Sequence, residues 1–472
     1  MKTKSIFSYL FYLFLGLLLF SQPSSGQDIP EPKNIIYLVS DGMGYNHVDA
    51  TSYYQYGESG TQVYEGPDWV QLGLATYPAV LNIENGDTLY AAGYNPRETS
   101  ENHKYVKSDA TDSGAAATAL STGKKVFSGS IGIGLHGDTL YHISQSAKAL
   151  GKSAGIIASV QLSHATPAGF TAHNKNRSNY SEIARYMLFD TKLDVIMGAG
   201  NPDFDDNSNP AELSGRFVGG LKLWEKLKEN NDQTTFEIEN NRYNVKDATG
   251  DGNPDPWHVI QTREEFIELS QQEEIPSRVL GVPKVHNTLH QSRERKSQST
   301  KPFETPLTES VPTLEELTKA SINLLSQNED GFFMMVEGGA VDWAGHSNES
   351  DRMIEEQIDF NKSVEAAVEW VEENSNWDET LIIITSDHET GYLTGPGDPD
   401  PTYPPVENRG KGNLPGMEWH SGSHTNQLVP FYAKGPGAEI FEMSAGEYDP
   451  IIGPFIQNTQ IPQIIFLMWG KN

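Results

Sequence analysis

Within the run 111–123 (TDSGAAATALSTG), Ser113 stands at the head of a helical stretch of alanines and other small residues. A helix starting there presents unpaired N–H groups and partial positive charge, suited to an anionic group carried on that hydroxyl. Ordinary capping accounts for the same residues, with Asp112 or Ser113 as the cap and the alanines allowing close packing. Four further clusters carry carboxylates, imidazoles or both. Asp41-Gly42-Met43-Gly44 follows one apolar run and Asp387-His388 follows another; Glu337, Asp342 and His346 share the stretch EGGAVDWAGH; His424 closes HSGSH. Asp342 and His346 stand four apart, on one face of a helix. Oxygen and imidazole donors of this kind suit a divalent ion such as Zn2+. Each cluster alone is explicable as a turn, a cap or a surface histidine. Four together, three of them at strand ends, call for metal ions. A serine hydroxyl is a poor nucleophile near neutral pH, and no suitably spaced His–Asp relay is evident; a bound zinc would lower its pKa instead.

These residues need a frame that gathers distant segments. Four apolar, β-branched runs read as buried parallel strands: 34–40 (NIIYLVS), 153–159 (SAGIIAS), 332–336 (FFMMV) and 381–386 (LIIITS). Helical patterns lie between them at 112–121, 142–150, 181–187, 314–325 and 352–373. Alternating strands and helices predict an α/β fold with a mostly parallel central sheet and helices on both faces. Ligands gather at the carboxyl ends of such strands, where Asp41, His164, Glu337 and Asp387 fall. The Asn-, Asp-, Glu- and Gln-rich stretch of about 198–312 reads as an insertion or subdomain at the rim, closing with the basic-leaning 290–301. Within it, Asp247-Ala248-Thr249-Gly250-Asp251-Gly252-Asn253-Pro254-Asp255 resembles part of a calcium loop, but Thr249 and His258 stand where a full loop has an acid or Asn and a bidentate Glu. Either a plain Asp/Gly turn or a structural Ca2+ at the rim fits. The segment 394–417 is a Gly- and Pro-rich loop, and 461–469 (IPQIIFLMW) suits a final packed helix.

The chain has 472 residues, 37% of them hydrophobic, and a formal net charge of −30. Lys2 and Lys4, the apolar run from Ile6 to Phe20 and the small polar exit to Gly26 have the layout of a secretory signal peptide over 1–26, which points to a periplasmic or secreted protein. The run is short for a bilayer span, and no cysteine follows it for lipid attachment, so no stable membrane anchor is expected. Loss of 1–26 removes two lysines and no acid, taking the charge to −32. So acidic a surface repels nucleic acid and anionic lipid. Phosphate esters are repelled at long range too, so an anion site must be a local pocket made by metals, Arg or helix termini. With no cysteine, thiol nucleophiles, thiolate sites and disulfides are excluded, and metals must be held by the 13 histidines and the carboxylates.

Taken in order, TDSGAAATALSTG, HATPAGFTAHNKNR, VEGGAVDWAGH, TSDHETG and the later His424 resemble the alkaline phosphatase family. The resemblance implies hydrolysis of phosphate monoesters to alcohol and inorganic phosphate through a phosphorylated Ser113. One zinc would be held by Asp342, His346 and His424. A second, held by Asp41, Asp387 and His388, would activate Ser113. A third ion, Mg2+, would sit near Asp41, Thr166 and Glu337, and Arg177 would clamp two phosphate oxygens. Two positions depart from the best-known bacterial pattern. His164 replaces an aspartate, so the third site could take Zn2+, and Trp343 replaces a lysine, which removes a charge near the phosphate. A homodimer is implied by the resemblance alone, since some relatives are monomers. Rival readings are a phosphodiesterase of the same superfamily, which usually lacks the arginine clamp; a sulfatase, whose modified nucleophile motif is absent; and a non-enzymatic exported binding protein.

Overall fold

Asn34–Ser40 (β1) is apolar at nearly every place, and all seven residues are buried. A strand covered on both faces reads this way, as a continuous run rather than an alternation. The computed structural model describes residues 29–84, 87–90, 93–295, 301–397 and 404–470; the leader expected over 1–26 lies outside them. The chain falls into two units, Met1–Pro30 and Glu31–Asn472, and every element named belongs to the second.

Among the described residues, eleven strands build one sheet. After β1 come Val70–Ala75 (β2), Ser153–Gln161 (β3), Val195–Ala199 (β4), His258–Ile260 (β5), Val279–Gly281 (β6), Phe332–Gly338 (β7), Thr380–Thr385 (β8), Val429–Lys434 (β9), Glu447–Asp449 (β10) and Gly453–Gln457 (β11). Their spatial order is β10-β11-β2-β9-β8-β1-β7-β3-β4-β6-β5. Within this sheet β9 and β10 run against the other strands, so it is mostly parallel, as expected.

Side chains along β1 alternate between two cores, as period-2 geometry demands. Ile35, Tyr37 and Val39 join one cluster with Ala117 and Leu120 of the helix Ser113–Thr122 (α2) and Ile464 of the final helix Gln460–Met468 (α8). Ile36 and Leu38 join the other, against Leu317 of Leu314–Leu325 (α5) and Val364 of Ser350–Asn374 (α7). Helices therefore cover both faces. The final helix predicted from 461–469 is docked there, with Trp469 Nε1 donating to the Pro32 carbonyl at 3.2 Å. The 198–312 stretch supplies β5 and β6 to one sheet edge and a separate hairpin, Thr235–Ile238 with Asn241–Asn244. Part of its basic close is pinned down: Arg293 pairs with Glu355 at 2.7 Å with both side chains buried.

Register sets the site. Ser40 lies opposite Gly338, and Val39 opposite both Glu337 and Thr385. Asp41 and Asp387 therefore emerge side by side, two residues past the paired Val39 and Thr385, with Glu337 one residue before the end of the neighbouring strand β7. Gly42, at φ +82°, makes the tight exit; a Cβ there would come within 2.7 Å of Asp342 Cα.

Candidate metal and nucleophile site

Ser113 is the first residue of α2, and Asp112 is its cap. The Asp112 carboxylate accepts from Gly114 N at 3.2 Å, Ala115 N at 3.1 Å and Gly129 N at 2.9 Å, and pairs with Arg177 Nη1 at 2.8 Å. One acid thus fastens the helix start, a neighbouring loop and the arginine. Arg177 offsets the effect of burial and holds the Asp112 carboxyl below its usual range. The alanines serve close packing, since a Cβ on Gly169, in the short helix Ala165–Gly169 (α3), would lie 2.5 Å from Ala117 Cβ. With the cap filled by Asp112, the Ser113 hydroxyl is left facing His388 Nε2 at 3.3 Å.

Around that hydroxyl the expected ligands converge. Asp342 and His346 lie on Ala340–His346 (α6), and His424 comes from the ribbon pairing Glu389–Thr390 with His424–Thr425. His346 Nε2 is 3.3 Å and His424 Nε2 3.4 Å from Asp342 Oδ1, and the two Nε2 atoms are 3.0 Å apart. Each ring turns its Nδ1 to a backbone carbonyl, Gly422 O at 2.9 Å and Thr111 O at 2.7 Å. Those Nδ1 atoms therefore carry protons, and two lone pairs and a carboxylate oxygen confront one another. Only a cation or a proton relieves that. The ligand atoms of Asp41, Asp387 and His388 lie within 4.8 Å of one another, as do those of Asp41, His164 and Glu337, and those of Asp342, His388 and His424. Asp41 belongs to the first and second of these groups, and His388 to the first and third.

The electrostatics agree. Both oxygens of Asp41 and of Glu337, Asp387 Oδ2, Thr166 Oγ1 and His164 Nδ1 are buried without a hydrogen-bond partner. Burial, then Asp387, Asp342 and Glu337, raise Asp41 well above the usual carboxylate range. Burial and the Asp387 charge push Glu337 to about 8. Asp387 rises to about 6 through burial and Asp342. Asp342 is held low by His424 despite burial, and His424 is raised in turn to about 8 by Asp342 against its own burial. Burial and the Arg177 charge keep His164 neutral, at about 3. Orphaned oxygens and neutral imidazoles in this number fit divalent cations, which would restore the charge balance that protonation otherwise supplies.

Ser113, Arg177, His346 and His424 line a cleft of about 350 Å3 whose rim includes Trp343 and Gln291. A larger cavity of about 600 Å3 lies at the opposite end of the strands, beside Asn34 and Glu379, and none of its lining residues leaves a buried polar atom unpaired. The Asp247–Asp255 loop is closed by its own acids: Asp247 accepts from Gly250 N at 2.6 Å and Gly252 N at 3.1 Å, and Asp255 from Ala248 N at 2.7 Å and Thr249 N at 3.0 Å. Those oxygens are engaged as in Asx turns, which favours the turn over a calcium cage. Sequence reasoning assigned Asp112 only a capping role and passed over Thr390. Asp112 carried a signal in its place before Ser113; the Thr390 contacts need the tertiary fold.

A family model described as "Alkaline phosphatase" matches residues 32–414. "Alkaline phosphatase 4" of Bacillus subtilis is 28% identical over 385 residues, 78% of this chain and 64% of that protein, so the match spans under two thirds of that relative's length. "Alkaline phosphatase" of Escherichia coli is 28% identical over 431 residues, 86% of this chain and 82% of that protein. The solved alkaline phosphatase of the Antarctic bacterium TAB5 superposes with a TM-score of 0.60 at 22% identity, covering 94% of this chain and 99% of that one. A histidine-to-glutamate variant of the TAB5 protein is described with Mg bound in its M3 site.

Proposed function

The chain belongs to the alkaline phosphatase family, and from that premise we propose that it hydrolyses phosphate monoesters through a phosphoserine on Ser113. The observation that carries the reading is the Ser113 hydroxyl, released from capping duty, 3.3 Å from His388 Nε2 in a cleft shared with Arg177. Asp342, His346 and His424 would hold one zinc, and Asp41, Asp387 and His388 a second. Asp41, Glu337, Thr166 and His164 would hold a third ion, Mg2+ as in the TAB5 variant or Zn2+ because His164 offers a neutral nitrogen. When bound, such ions lower the pKa of a serine hydroxyl and balance charge on the entering and leaving oxygens.

The chain's own groups then do the following. Ser113 Oγ bonds to phosphorus while the ester P–O bond breaks, and the alcohol leaves with a proton. Water attacks the phosphoserine, the Ser113 O–P bond breaks, the serine regains a proton, and inorganic phosphate departs. Two in-line displacements retain configuration at phosphorus. Arg177, its guanidinium set by Asp112, offers its fork to two non-bridging oxygens. That contact favours monoesters, whose additional charged oxygen it can engage, over diesters.

Arg177→Ala is therefore expected to lower kcat/KM for an aryl phosphate by about 10²-fold or more, and to change the rate on a bis-aryl phosphate little. A wild-type preference for the diester would overturn the reading. Trp343 packs against Ala158, Val160 and Ala340, 6.1 Å from the His164 ring, and brings no charge to the cleft. Trp343→Lys should strengthen product inhibition by inorganic phosphate, roughly 3- to 10-fold in Ki; equal inhibition in both forms would remove Trp343 from phosphate release. Export rests on the leader read at 1–26. Among the described residues, no helix is long and apolar enough to cross a membrane.

A further inference from the structure

Thr390 is fully buried on the ribbon beneath the site, opposite His424 in its antiparallel pairing. Its Oγ1 lies 2.5 Å from Asp342 Oδ1 and 3.2 Å from His388 Nδ1. Asp342 belongs with His346 and His424, while His388 belongs with Asp41 and Asp387, so one hydroxyl touches a ligand of each group. A hydroxyl has a single proton, and an ionised ligand carboxylate can only accept, so that proton goes to Asp342. The same oxygen is then left to accept from His388 Nδ1–H. This fixes the tautomer with the lone pair on His388 Nε2, which faces Asp387 Oδ2 at 3.2 Å, Asp41 Oδ1 at 3.6 Å and the Ser113 hydroxyl. The threonine has little freedom to do otherwise. Its N–H donates to Gly42 O at 3.0 Å, and a Cβ on Gly42 would stand 3.0 Å from Oγ1.

We infer that Thr390 is a positioning residue that couples the two zinc half-sites, orienting the Asp342 carboxylate on one side and the His388 ring and tautomer on the other. An ion entering either half stiffens the shared hydroxyl and so prepares the other half. The inference rests on the two-zinc reading above and adds the coupling between the ions.

The test titrates metal-free protein with Zn2+ against a chromophoric chelator, for wild type, Thr390→Val and Thr390→Ser. Beyond any ion taken by the third site, wild type should fill the two half-sites in one cooperative step. Thr390→Val keeps the shape and loses the hydroxyl; it should bind zinc 10- to 100-fold more weakly, in two separate steps. Thr390→Ser should restore both the affinity and the single step. Two ions bound identically by wild type and Thr390→Val would overturn the coupling and leave the two-zinc reading intact. A Thr390→Ser protein as weak as Thr390→Val would also overturn it, by assigning the effect to the methyl group's packing. A wild type that takes no zinc would overturn the two-zinc reading itself.

Discussion

Ser113→Ala should give a folded protein with wild-type metal content that hydrolyses aryl phosphates at least about 10³-fold more slowly. The expectation of normal folding comes from the local structure. Asp112 caps the helix through Gly114 N and Ala115 N, so the serine side chain can be removed without costing the cap. Alanine is the most favourable helix residue, and the neighbours at 115–117 are already alanines. Asp41, Asp387 and His388 keep their mutual geometry, since none depends on the serine for its placement in the strand ends or ribbon. The variant therefore separates chemistry from architecture. Acid-quenched wild type should carry phosphate on one serine after reaction with substrate, and the variant none. Unchanged turnover, with zinc content matched by elemental analysis, would mean that the water attacks directly and that the hydroxyl is a bystander.

Much of this arrangement was legible because the strands that carry it are buried on both faces. The runs 34–40, 332–336 and 381–386 are apolar nearly throughout, and β1, β7 and β8 coincide with them to within two residues. Once parallel pairing is assumed, residues just past such runs share an edge, which is why Asp41, Glu337 and Asp387 could be grouped without coordinates. The edges of the sheet were not legible. β5, β6 and β10 are three residues each, too short for periodicity to register, and they lie in stretches whose composition reads as loop. The antiparallel β9 contains Pro430, which argues against a strand in sequence terms. The proline is accommodated because it keeps register with Gly73 of β2 while pairing with β8 ends at Tyr432, and Thr385 Oγ1 donates to the Pro430 carbonyl at 2.8 Å. The site followed the same division. Candidate ligands on strand ends and on one helix turn could be picked out by spacing, as Asp342 and His346 were. Groups that touch the candidate site residues could not: Asp112 reaches Arg177, 65 residues away, and Thr390 reaches Asp342, 48 residues away. No local pattern encodes contacts of that kind.

Stripping the metals should abolish hydrolysis, lower the thermal midpoint by on the order of 10 °C, and change how stability depends on pH. Each ion held at about 1,000 times its Kd contributes about 4 kcal/mol to the folded state, which sets the scale of the midpoint shift. The pH dependence follows from the carboxylates. In the metal-free protein Glu337 titrates at about 8, and His424 at about 8, both above their unfolded values near 4.3 and 6.5. Between about pH 6.5 and 8 the folded state therefore binds more protons than the unfolded chain, and stability falls as pH rises through that window. Below it the sign is mixed. Asp387, raised to about 6, still favours lower pH there, whereas His164 and His388, buried and neutral, charge more readily when unfolded and favour higher pH. Glu389 and Glu356, raised to about 7 and about 8 mainly by burial, add to the downward slope with or without metal. The comparison between forms cancels them. With cations in place the site's carboxylates are ionised and His424 is neutral, protons no longer compete, and metal affinity grows with pH. The gap between the two thermal midpoints should thus widen steadily from pH 6.5 to 8. Thermal unfolding of chelated and zinc-reloaded protein across that range measures it, and two parallel curves would show that the orphaned oxygens at Asp41 and Glu337 are not where the cations bind.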